Sequence, residues 1–153
     1  MYNLDKKIVE KDANGFSLVE ILLVMALFGV LLLVASSMFT SHATNRNLKE
    51  AAGALMSDIK LAKQRAMSEG ITYTITIINN NSYSIQGRPL KSLSSFGEGI
   101  SIKEHSYSGN KINLFTRGTS SGGSITLGNS LGSTIKIVTS PMGRVRSEED
   151  LKK

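Results

Sequence analysis

The chain has no cysteine and no tryptophan, and only two prolines and two histidines among its 153 residues. Without cysteine it carries neither a disulfide framework nor a thiolate metal site. That absence does not assign a compartment, because a domain of about a hundred residues holds together without bridges. His42 and His105 stand 63 positions apart with no carboxylate motif around either, so each reads as an ordinary surface or linker residue. HExxH, nucleophile-elbow and Walker sequences are all missing. The glycine-rich run Gly118-Thr119-Ser120-Ser121-Gly122-Gly123 lacks the GK[ST] ending of a phosphate loop and reads as a turn. Glu148, Glu149 and Asp150 lack the regular oxygen spacing of a calcium loop. Asn80-Asn81-Ser82 matches a glycosylation acceptor, but it falls in an expected hairpin turn. The chain is therefore expected to be no enzyme and to bind no cofactor or metal.

Charge of one sign is also scarce where it would be informative. Ahead of residue 16, Lys6, Lys7 and Lys11 cancel Asp5, Glu10 and Asp12, so the leading segment lacks the basic bias of an ordinary secretory signal. Cleavage after Ala43, in Ser41-His42-Ala43, stays formally open. The whole chain carries +6, a basicity that permits contact with nucleic acid or an anionic surface without requiring it.

What is present is a long apolar run with one charge in it. Residues 16–39 contain a single ionisable side chain, Glu20, and no proline. As a helix this run is roughly 36 Å long, enough for a hydrocarbon core of about 30 Å. A carboxylate in such a segment is costly, and its position is a functional clue with a partner to be found. A secretory signal, a plain single-pass anchor and a buried helix of a soluble protein are the competing readings.

Residues 40–47 contain neither glycine nor proline, so nothing stops the helix there. Leu48, Ala52, Leu55, Ile59, Ala62 and Ala66 then recur at spacings of four and three, one face of an amphipathic helix. Lys49, Asp58, Lys60, Lys63 and Arg65 are read as lying elsewhere around it. With Gly70 as a C-terminal cap, one helix is expected over about 17–68. Beyond it the period drops to two. Ile71, Tyr73, Ile75 and Ile77 alternate with threonines, Asn79-Asn80-Asn81 signals a turn, and Tyr83 and Ile85 alternate on the return. Residues 87–99, with Pro89 and several serines, form a looser segment. Short strands are expected near 100–105, 111–116, 124–127 and 134–138, giving an α+β fold with a helix on an antiparallel sheet. The charged stretch 147–153 lacks apolar periodicity and reads as a solvated tail.

The run Gly15-Phe16-Ser17-Leu18-Val19-Glu20, with a charged leader before it and about twenty apolar residues after, resembles the class III signal of type IV pilins. The resemblance implies that a prepilin peptidase cuts between Gly15 and Phe16 and methylates the new amino terminus, and that Glu20 acts in subunit assembly. Residues 1–15 are then a leader, 16–40 a transmembrane or filament-core helix, 41–146 a pilin-like domain and 147–153 a tail. Further along, Asp58-Ile59-Lys60-Leu61-Ala62-Lys63-Gln64-Arg65-Ala66, Phe115-Thr116-Arg117-Gly118 and Pro141-Met142-Gly143-Arg144-Val145-Arg146 are similar to the GspH/FimT group of minor pseudopilins and minor pilins. Competence pseudopilins share the layout. This implies a single-pass protein of the inner membrane, its domain facing out of the cytoplasm. It joins a type II secretion pseudopilus or a type IV pilus. The implied partners are other subunits, the peptidase, an assembly platform and, before assembly, membrane lipid. Two departures from major pilins are visible: no proline interrupts the apolar helix, and their cysteine pair is missing.

Arg144 and Arg146 flank Val145, so in an extended segment they point the same way and suit a phosphate. Gly143-Arg144-Val145-Arg146 resembles the Gly-Arg-x-Arg tail of minor pilins that bind DNA in natural transformation. The alternative is that this end closes the sheet and pairs its arginines with the acidic residues after them.

Overall fold

The computed structural model describes residues 15–152, apart from the side chains at 34–41. The expected leader therefore lies outside the described residues, except for Gly15. The chain divides into two compact units, 1–37 and 38–153.

Helix α1 runs Leu18–Glu69, with Glu20 in its first turn, where a carboxylate complements the exposed amides of a helix start. Gly70, at φ 69°, ends it in the left-handed conformation expected of a glycine cap. In the first unit the apolar side chains from Phe16 to Leu33 are exposed, from 44 % at Val24 to 79 % at Phe16. Among the described residues no helix is long and apolar enough to cross a membrane. The apolar sequence does continue into the stretch whose side chains are not described.

In the second unit α1 is one-sided. Leu48, Ala51, Ala52, Leu55, Ile59, Ala62 and Ala66 are buried, which is the expected stripe with Ala51 added. They pack on eight strands: β1 Tyr73–Asn79, β2 Ser82–Ile85, β3 Lys91–Ser92, β4 Ser101–His105, β5 Lys111–Leu114, β6 Gly123–Gly128, β7 Thr134–Thr139 and β8 Val145–Asp150. These form two antiparallel sheets of four strands, ordered β3-β2-β1-β5 and β4-β6-β7-β8, rather than one. Hydrogen bonds stitch the sheets together: Ile102 N to Asn80 O at 2.6 Å, and Ser121 N to Asn113 O at 2.8 Å. The inward residues of both sheets, among them Ile75, Tyr83, Ile112, Ile125, Leu127, Ile135 and Ile137, form one core with the helix stripe.

The hairpin at 79–82 closes as its asparagines indicate. Asn79 Oδ1 accepts from Asn81 N and from Ser82 Oγ, both at 2.8 Å, a side chain standing in for a backbone turn.

Two expectations need correction. Residues 147–150 are not a free tail, because β8 pairs with β7 from Thr134↔Asp150 to Thr139↔Val145. An edge strand needs backbone partners on one side only, and its charged side chains discourage pairing with other chains. That is why it lacks apolar periodicity. The segment after it is pinned too: Asn45 Nδ2 donates to Lys152 O at 2.8 Å, and Lys152 N donates to Ser133 Oγ at 2.8 Å. The second correction is Asp58, which is 5 % exposed and belongs to the core face of α1.

Candidate functional site

The amino-terminal motif stands at the start of α1. Gly15 and Phe16 precede the helix, and a Cβ at Gly15 would meet nothing within 4 Å. Nothing in the fold requires glycine there. The fold likewise leaves Phe16 uncovered. Glu20 is exposed and, among the described residues, has no ion-pair partner.

The carboxyl-terminal arginines are built differently. Ser140 N donates to Arg144 O at 2.9 Å and Gly143 N donates to Ser140 O at 2.8 Å, which makes 140–144 a tight turn between β7 and β8. Val145 is half-buried against the core, while Arg144 and Arg146 on either side of it are exposed. The alternation expected of an extended segment therefore holds, with Arg144 at the end of the turn and Arg146 in β8. The structural alternative is visible in part, with Arg144 outside any ion pair among the described residues. This end closes the sheet, and Arg146 Nη2 lies 3.5 Å from Glu148 Oε1, an ion pair whose side chains are 66 % and 57 % exposed. Such a pair contributes at most about 1 kcal/mol and leaves the guanidinium available. Arg146 and Lys136, together with the Glu148 carboxylate, also line an open hollow of about 640 Å³ that Gly123, Ser124 and Val138 border.

Three constellations were not anticipated from the sequence. Asp58 accepts from Tyr83 Oη at 2.7 Å and from Lys91 Nζ at 2.6 and 2.9 Å, which ties α1 to β2 and β3. Burial, then the bond to Asp58, pushes the Tyr83 phenol well above its ordinary value. The signal was present, since 58 is three positions after Leu55 and four before Ala62, on the stripe itself. Secondly, Asn129 Nδ2 donates to Asn45 Oδ1 at 3.0 Å and Ser133 Oγ donates to the same oxygen at 2.7 Å, so Asn45 joins helix, β6–β7 turn and chain end. Thirdly, Lys63 Nζ donates to Gly143 O at 2.9 Å. Gly143 has φ 74°, and a Cβ on it would collide with the Gly118 carbonyl oxygen. Gly143 is thus required by the approach of Gly118, a glycine from a separate motif, whose own Cβ would meet Met67 and Lys63.

Among the described residues no group of His, Cys, Asp and Glu could hold a metal ion.

Comparisons with known proteins match this geometry. The profile described as prokaryotic N-terminal methylation motif matches residues 11–36, a span that includes Gly15, Phe16 and Glu20. That described as Type II transport protein GspH matches residues 51–143. Among solved structures, the minor pseudopilin EpsH from the type 2 secretion system of Vibrio cholerae aligns with a TM-score of 0.57 at 10 % identity. That alignment covers 67 % of this chain and 97 % of that one. The type IV minor pilin FimU of Pseudomonas aeruginosa aligns at 0.53 with 15 % identity, covering 66 % and 92 %. A search of curated proteins returns no significant match. With an amino-terminal methylation motif and a domain match over more than half of its length, the chain belongs to the family described as Type II transport protein GspH, and its fold is that of the two solved structures.

Proposed function

We propose that the chain is a minor subunit of a type II secretion pseudopilus or type IV pilus, processed between Gly15 and Phe16 by a prepilin peptidase. The observation that carries this reading is the first half of α1, apolar on every side and uncovered from Phe16 to Leu33. A helix greasy all round belongs in a bilayer or a helix bundle. Before assembly it spans the inner membrane once, with the β domain outside the cytoplasm. An assembly platform then moves it into contact with other subunits.

Glu20 sets the register of that bundle. A carboxylate in an apolar medium is costly alone and tolerable when paired, and the methylated terminal amine of a neighbouring subunit supplies the missing charge. The chain's contribution is assembly, and no catalytic step belongs to it. Gly15→Glu abolishes cleavage, seen as a single unprocessed band. Glu20→Ala leaves cleavage intact and removes most of the protein from sheared filaments. Normal incorporation of both variants refutes the proposal.

A second reading is favoured by the exposure of Arg144 and Arg146 on either side of a half-buried valine. Two guanidiniums fixed on one edge suit the phosphates of DNA taken up in transformation. Replacing both with glutamine lowers duplex affinity at least tenfold at low salt. Unchanged binding, or none in the parent, rules this reading out.

A further inference from the structure

Arg117 belongs to the sequence motif Phe115-Thr116-Arg117-Gly118 yet serves neither the core nor the assembly helix. It lies in the turn after β5, where Gly118 N donates to Phe115 O and Phe115 N donates to Thr119 O, both at 2.9 Å. That turn is clamped to the one carrying Arg144. Ser120 N donates to Pro141 O at 3.1 Å and Ser120 Oγ donates to Ser140 O at 2.8 Å. Gly118 and Gly143 are both buried and both at positive φ, and a Cβ on Gly143 would collide with the Gly118 carbonyl oxygen. Lys63 holds the second turn through the Gly143 carbonyl and acts as a positioning residue.

The residues beside the two glycines face solvent. Arg117 and Arg144 are exposed, and among the described residues neither enters an ion pair. Both guanidiniums are therefore unneutralised by an ion pair, on adjoining turns joined by hydrogen bonds. Arg146 follows two residues further along β8. The three cations are thus carried on two adjoining turns and the start of β8. Forked cations held on adjoining turns suit the repeating phosphates of a nucleic acid backbone.

The geometry points to Arg117 as a third phosphate contact for duplex DNA, on a turn joined to that of Arg144 by the Ser120 hydrogen bonds and the Gly118–Gly143 contact. This inference rests on the DNA reading of Arg144 and Arg146. It adds a residue remote in sequence from them and a reason for its placement.

The test uses the full-length chain in detergent micelles, a labelled short duplex of arbitrary sequence and anisotropy titrations between about 50 and 200 mM salt. Arg117→Gln is expected to weaken binding several-fold at low salt and to flatten the plot of log affinity against log salt by about 0.9. Arg46→Gln removes the same charge from a position far back along α1 and is expected to change neither. A parent without salt-dependent binding overturns the DNA reading and this assignment together. Binding weakened by Arg144→Gln but untouched by Arg117→Gln overturns the assignment alone and leaves the DNA reading standing. An equal loss from Arg46→Gln reduces the effect to net charge and also overturns it. If Arg117→Gln weakens only binding to vesicles containing phosphatidylglycerol, the partner is a bilayer and the assignment falls.

Discussion

Two carboxylates stand among apolar residues of the same helix, Glu20 in the first unit and Asp58 in the second, and they are treated in opposite ways. Asp58 is buried and receives hydrogen bonds from Tyr83 and Lys91, both supplied by the sheet that packs on it. Glu20 has no ion-pair partner among the described residues, and the apolar side chains around it are uncovered. A carboxylate among greasy neighbours needs a partner. For Asp58 the fold provides it, and for Glu20 the proposed assembly would.

The contrast can be broken at several points. The largest effect belongs to the helix stripe: Leu55→Ala, at a site 1 % exposed, lowers the stability of the β domain by about 3–4 kcal/mol through lost burial and a cavity. Leu27→Ala, at a site 57 % exposed, leaves the unfolding midpoint of that domain where it was. Denaturant titrations of both variants in detergent check the pair, and equal losses would dissolve the distinction between the halves. Asp58→Ala comes next, at about 2–3 kcal/mol. It strands the buried Tyr83 hydroxyl, while the partly exposed Lys91 returns to solvent.

The smallest effect sharpens the chemistry. Tyr83→Phe costs about 1 kcal/mol at neutral pH from the lost bond to Asp58. It also alters the alkaline limb. The folded phenol titrates above its unfolded value of 10.0, so the stability it confers is complete below that pH and is lost as pH rises beyond it. Thermal melts between pH 9 and 11 are expected to fall more gently for the phenylalanine variant. Parallel slopes would detach Tyr83 from the alkaline limb.

What could be read without coordinates follows the strength of each periodic signal. The helix stripe was legible because leucine, isoleucine and alanine recur at spacings that only a helix satisfies. The first hairpin was legible because threonine alternation meets three asparagines. The amino-terminal motif was legible because Glu20 interrupts an otherwise uniform run. Asp58 was misread because residue type outweighed position: its spacing puts it on the stripe, yet it was read as lying elsewhere around the helix. The start of β8 was anticipated as an end that closes the sheet, but its continuation through 147–150 was read as a tail, because an edge strand is specified by the backbone of its neighbour, and Glu148 and Asp150 carry no trace of that. The division into two sheets was equally hidden, since it depends on where the turns at Asn80 and Ser121 meet their neighbours. The contact between Gly118 and Gly143 joins residues 25 positions apart, and each glycine alone looks like an ordinary turn residue.

The polar buckle around Asn45 has a mechanical meaning. A pull applied to α1 from its amino-terminal side meets Asn45 before it reaches the apolar stripe, and through it the backbone at Lys152 and the turn at Asn129 and Ser133. The ion pair from Lys49 to Glu149, at 2.8 Å, adds a second, weaker strap one turn later. Tension along the helix is therefore shared with the last strand of the sheet instead of peeling the helix from its core one side chain at a time. Both ends of the β domain's chain are tied at the point where the load arrives.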